Sequence, residues 1–78
     1  MTNFDIDQLI VHRPAIVSFV TRLVGDPALA EDLTQEAFIR ASKSIDKLRD
    51  VKSSRSWLHS IALNLVRDNF RVQKRTPT

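Results

Sequence analysis

Gly25-Asp26-Pro27-Ala28-Leu29-Ala30-Glu31-Asp32-Leu33-Thr34-Gln35-Glu36-Ala37-Phe38-Ile39-Arg40-Ala41 decides the architecture, because it joins the clearest boundary in the chain to its most regular repeat. Gly25, the only glycine, can close a preceding helix in the left-handed conformation that a Cβ disfavours. Asp26 can cap the next helix with its carboxylate, and Pro27 suits the first helical position, where no backbone donor is needed. From there Ala30, Leu33, Ala37, Ala41, Ile45 and Leu48 recur at steps of 3 or 4. That spacing predicts one apolar stripe on a helix from Pro27 to about Leu48. Glu31, Asp32 and Glu36 lie toward its start, and Arg40, Lys43 and Lys47 toward its end, the order that complements the helix dipole.

Upstream, Ile16, Val20, Leu23 and Val24 fall on one helical face, and Ile6, Leu9, Ile10 and Val11 extend an apolar side. A first helix is expected over about Phe4 to Val24, kinked or split at Pro14, where proline removes a donor and clashes with the preceding turn. Downstream, Arg49-Asp50-Val51-Lys52-Ser53-Ser54 reads as a loop whose serine can cap a third helix running to about Val72. Trp57, Leu58, Ile61, Ala62, Leu65 and Val66 form that helix's buried side. The fold class is therefore all-α, a compact bundle of three main helices. Residues 1–75 are expected to form one domain and 76–78 a tail, with the polar run from Gln73 onward frayed.

The bulk numbers agree. Seventy-eight residues, 42% hydrophobic and 27% charged, suit one small globular unit with a thin core. The chain has no cysteine, which excludes disulfides and thiolate metal sites. Its first residues lack the basic stretch and apolar run of a signal peptide. No apolar run approaches the roughly 20 residues of a membrane span. A cytoplasmic protein without membrane insertion is the expectation. Charge divides unevenly: residues 1–39 hold two basic and six acidic side chains, and residues 40–78 ten and three. The halves are thus −4 and +7, which points to a polyanion partner for the second half.

Two helix faces carry this division. On the second helix, Asp32, Gln35, Glu36, Ile39, Arg40 and Lys43 share the side opposite the apolar stripe. Ile39 stands among charges, although single exposed apolar residues are common. On the third, Ser60, Asn64, Arg67, Arg71, Lys74 and Arg75 form a second face, and the loop region adds Lys47, Arg49, Lys52 and Arg55. Cations for phosphates with a few short polar groups for bases are what a nucleic-acid surface needs. Catalysis has little to stand on. His12 and His59 are isolated, without ligands at metal spacing. His59 and Ser60 are helix neighbours that do not face each other. One glycine cannot make a phosphate-cradling loop. No enzyme activity, metal, cofactor or small-molecule substrate is expected.

The run from Gly25 to Ala41 resembles the central motif of region 2 of extracytoplasmic-function sigma factors. So does Arg55-Ser56-Trp57-Leu58-His59-Ser60-Ile61-Ala62-Leu63-Asn64-Leu65-Val66-Arg67-Asp68-Asn69-Phe70-Arg71, and His12-Arg13-Pro14-Ala15 is typical of that domain's first helix. The resemblance spans about Phe4 to Arg75. It implies that the second helix docks on the coiled-coil clamp helices of the largest subunit of core RNA polymerase, through Asp32, Gln35 and Glu36 with Ile39 and Arg40 at the edge. It implies that the loop and third helix read the non-template strand of the promoter minus-ten element and help open the duplex. The residues carried over are Leu48, Arg49, Lys52, Ser53, Ser54 and Arg55 around the loop, with Asn64, Arg67, Arg71 and Lys74 on the helix. An anti-sigma factor is a further implied partner.

The sequence departs from the pattern in two respects. No aromatic lies between Phe38 and Trp57, although single-strand binding ordinarily uses aromatic platforms. The family's second domain, which reads the minus-thirty-five element, has no counterpart here. The competing expectation is a small helical protein-interaction adaptor with a non-specific basic surface. A helix-turn-helix is less suited, because the link to the third helix exceeds that motif's turn of about 3–4 residues.

Overall fold

Gly25 takes a positive φ of 72°, and its N–H closes the preceding helix on the Thr21 carbonyl at 2.8 Å. A Cβ at this position would meet nothing, so only the left-handed backbone requires glycine. Asp26 follows in extended conformation, and its Oδ1 accepts from the N–H groups of Ala28 and Leu29 at 3.0 and 3.3 Å. Helix end and helix start are thus joined by two residues, each doing what the sequence predicts. The computed structural model describes the backbone of residues 9–48 and 53–75, with side chains as far as residue 71. Its elements are α1 (Arg13–Val24), α2 (Pro27–Lys43), a 3-10 turn (Ile45–Lys47) and α3 (Ser54–Arg75). The all-α class and the three main helices are as expected.

The first helical segment is split at Pro14 as expected, and three boundaries are placed more finely. The break lies at Val11 and His12, just ahead of Pro14, and residues 9 and 10 are helical before it. Proline has no N–H to donate, so it sits in the first turn of a new helix rather than inside an old one. The expected start near Phe4 lies outside the described residues. The second correction is that α2 stops at Lys43, short of Leu48. Ser44 leaves helical geometry at φ −115° and ψ 14°, and its N–H is shared between the Arg40 and Ala41 carbonyls at 3.1 Å each. Tighter bonds follow, from Lys47 N–H to the Ser44 carbonyl and Leu48 N–H to the Ile45 carbonyl. Ser42 Oγ also donates to the Ile39 carbonyl at 2.8 Å, the local competition that makes serine a weak helix interior. A 3-10 turn keeps Ile45 against the core, which is why the apolar stripe reads through the helix end. Third, α3 begins at Ser54 and continues to Arg75, three residues beyond Val72 and into the run expected to fray.

The core draws on every element. Leu9, Ile16 and Val20 meet Ala30, Ala37 and Ala41 of α2 and Leu58, Ala62, Leu65 and Val66 of α3. All but Leu65 and Val66 are fully buried. The inner side of α2 is lined by alanines, so the branched side chains of α1 and α3 fill the space beside it. Phe19, Leu33, Phe38, Ile45, Trp57 and Ile61 close the rim, half-buried rather than internal. Four side chains depart from the apolar sides read in the sequence. Ile10, Val11 and Leu23 are exposed, and Thr34 is buried completely. The Thr34 hydroxyl oxygen has no hydrogen-bond partner among the described residues.

Candidate functional site

The inner side of α2 is fixed by Ala30, Thr34, Ala37 and Ala41, so the opposite side must face solvent. Asp32, Gln35, Ile39 and Arg40 are exposed there, and Glu36 keeps about half of its side chain accessible. The structure therefore gathers all five residues into one strip. Within it, Arg40 Nε donates to Glu36 Oε2 at 3.4 Å, one turn apart. Such exposed pairs contribute only tenths of a kcal/mol. Asp32 has no basic partner among the described residues, and the apolar Ile39 on the same strip is 41% exposed. The strip thus sets charges of both signs around one apolar side chain.

On α3 the buried set of Leu58, Ala62, Leu65 and Val66 turns Asn64, Arg67 and Arg71 outward, and all three are exposed. Arg71 lies 3.7 Å from Asp68, a loose contact with both side chains more than half exposed. Arg67 has no carboxylate partner among the described residues. The result is a cationic strip with one amide, Asn64, able both to donate and to accept. Lys74 continues the same helix, though its side chain lies outside the described set. Arg49 and Lys52 also lie outside the described residues. Leu48 is half-buried after the 3-10 turn, and Ser53 and Arg55 are exposed at the start of α3.

Ser54 is placed differently from its loop neighbours. It is 4% exposed, and its Oγ lies 3.2 Å from His12 Nε2. The hydroxyl is committed to the interior of the fold. His12 gives no side-chain cap to α1, whose first turn it precedes. Its ring reaches instead across 42 residues of sequence. The next residue, Arg13, donates to Glu31 of α2 at 2.9 Å. Further along, the rings of Phe19 and His59 pack with centroids 4.8 Å apart. His59 Nδ1 lies 2.8 Å from the Arg55 carbonyl, which can only accept, so Nδ1 carries the proton there. These histidine contacts have no periodicity and no spacing motif, so the sequence offers no sign of them. Among the described residues there is no pocket and no group of His, Asp and Glu able to hold a metal. No described helix is long and apolar enough to cross a membrane.

Comparison with known proteins gives a consistent answer. Residues 10–76 match the family described as Sigma-70 region 2. The chain is 38% identical over 64 residues to the ECF RNA polymerase sigma factor SigW of Bacillus subtilis, covering 82% of this chain and 34% of that protein. It is 32% identical over 69 residues to the ECF RNA polymerase sigma factor EcfG of Rhodopseudomonas palustris, covering 88% and 38%. A probable RNA polymerase sigma factor, RfaY of Xanthomonas campestris, is 40% identical over 63 residues, 81% of this chain and 15% of its own. The chain thus spans about a third of the length of the first two of these relatives. No solved structure matches it.

Proposed function

The chain belongs to the sigma-70 region 2 family, as the region 2 domain of an extracytoplasmic-function sigma factor, and from that premise we propose that its two outward faces serve two partners in transcription initiation. The α2 strip of Asp32, Gln35, Glu36, Ile39 and Arg40 docks on core RNA polymerase, at the coiled-coil clamp helices of its largest subunit. The α3 strip of Asn64, Arg67, Arg71 and Lys74 holds promoter DNA. Leu48, Arg49, Lys52, Ser53 and Arg55 complete that surface at the loop, and Ser54 supports it from inside. The target is the non-template strand of the minus-ten element, and binding it helps open the duplex. The work belongs in the cytoplasm, with an anti-sigma factor as a further partner.

One observation carries this reading: a mixed-sign strip with an apolar member and a cationic strip with an amide are set on separate helices around one core. The physical reason favours single strands. Extruding a base costs a few kcal/mol, which neighbouring cations and an enclosing loop offset. Asn64 can meet a donor and an acceptor on one base edge.

The test is fluorescence anisotropy at fixed salt with labelled single strands of minus-ten-like sequence, scrambled strands and matching duplexes. A preference among single strands, weakened by Asn64→Ala, is the expected result. Replacing Arg67 with Ala should weaken all strands alike and lower the log–log salt slope by roughly 0.7. Equal, salt-sensitive binding to every probe overturns the reading in favour of a helical adaptor with an electrostatic patch.

A further inference from the structure

Ser53 and Arg55, two of the residues proposed to contact DNA, are exposed at the start of α3. What fixes that end in space is therefore a functional matter. The hydrogen bonds within α3 hold its turns to one another and leave its direction free. Leu58, Ala62, Leu65 and Val66 pack it into the core shared with α1 and α2. Beyond that packing, two side-chain contacts reach the first turns of α3, one from His12 and one from Phe19 of α1. Ser54 Oγ meets His12 Nε2 at 3.2 Å, and the His59 ring, bonded to the Arg55 carbonyl, packs on Phe19.

His12 is well placed to act as the anchor. Its own backbone is held on both sides: its N–H donates to the Leu9 carbonyl at 2.9 Å, and its carbonyl accepts from Ile16 N–H at 3.1 Å. Leu9 and Ile16 are both fully buried. Pro14 stiffens the turn that follows. The adjacent Arg13 ties the same turn to α2 through Glu31. Two consecutive residues thus hold one turn of α1 against both other helices. The far partner, Ser54, is buried at the first residue of α3, where a small rotation of the helix would move Arg55.

We propose that His12 is a positioning residue for the nucleic-acid surface: through its bond to Ser54 Oγ it sets the position of the first turn of α3, and so of Arg55. The proposal rests on the nucleic-acid reading for its consequence, while the positioning itself is observable without DNA.

The experiment uses the 78-residue chain and four variants, His12→Leu, His12→Gln, Ser54→Ala and the His12→Leu/Ser54→Ala pair. Glutamine places an amide nitrogen near the position of Nε2, so it can restore the bond. The first readout is backbone amide NMR. Matching shift changes at residues 53–56 in His12→Leu and Ser54→Ala, largely reversed in His12→Gln, are expected. Changes confined to the surroundings of residue 12 overturn the positioning role. The second readout is affinity for a minus-ten-like single strand. Each single variant should bind roughly three- to tenfold more weakly, the scale of one ordinary hydrogen bond, with His12→Gln close to the parent. The double variant should be no weaker than the worse single variant, because both remove one contact. Losses that add in the double variant overturn the proposal, and so does Ser54→Ala weakening binding while His12→Leu leaves it unchanged, which makes Ser54 a direct contact. A parent chain that shows no strand preference, alongside the expected NMR pattern, would refute the promoter reading and leave the His12 anchor standing.

Discussion

The outer faces of α2 and α3 are alike in exposure and unlike in chemistry. Along α2, an internal ion pair neutralises Glu36 and Arg40, and an apolar Ile39 stands next to them. Along α3, Arg67 and Arg71 face one loosely held Asp68, and the middle position is an amide. Each face lies opposite a buried side that enters one shared core, so packing does not account for the difference. Solubility alone would be served by either pattern on both helices. A surface that presents neutralised charge around an apolar centre suits a protein. A surface that presents net positive charge suits phosphates. The contrast teaches that partner type is written on each face separately, while one core holds the two in fixed relation.

The most severe way to break the comparison is to remove the core that both faces share. Leu58 is fully buried between the helices, and Leu58→Ala should cost about 2–5 kcal/mol. A small domain has little more than that in total, so urea melts should show most of the cooperative transition lost. Polymerase and strand binding should fall together. If either survives intact, that face does not depend on the bundle.

A sharper test separates the faces. Glu36→Lys places a cation beside Arg40 and reverses the acid that Arg40 pairs with. Affinity for core polymerase should drop by roughly thirtyfold or more, the scale of a hot-spot residue of about 2 kcal/mol. Circular dichroism should be unchanged, and single-strand binding unchanged or slightly stronger from the added charge. Unaltered polymerase binding removes α2 from the interface.

The smallest expected effect concerns neither face. Thr34 buries a hydroxyl with no partner among the described residues, so Thr34→Val should stabilise the chain by about 1 kcal/mol. A melting temperature raised by roughly 4–8 °C, with both binding activities retained, is the outcome to check by calorimetry. A lowered melting temperature would mean the hydroxyl has a partner after all.

Thr34 also marks where the sequence stops being legible. Its position beside Leu33 on the helix places it near the inner side, but polarity argues it outward, and only packing against two other helices decides. The boundary at Gly25-Asp26-Pro27 was legible because each residue acts locally, through φ, a carboxylate acceptor and a missing donor. The faces of α2 and α3 were legible because helical spacing turns sequence into direction. The end of α2 was not. Steps of 3 and 4 fit an α-helix and a 3-10 turn equally, and the difference at Ser44 is one of hydrogen-bond register. The bond between His12 and Ser54 was out of reach altogether, since it depends on how two helices meet after folding.

The central claim is that the two faces act independently on one rigid body, and a ternary binding measurement tests it most directly. The chain would first be saturated with the isolated clamp coiled coil of the polymerase largest subunit. A labelled minus-ten-like single strand would then be titrated in at fixed salt. The account predicts that the strand binds with undiminished affinity and that the complex contains all three components. Displacement of the coiled coil by the strand would contradict it, because the two partners would then share one surface.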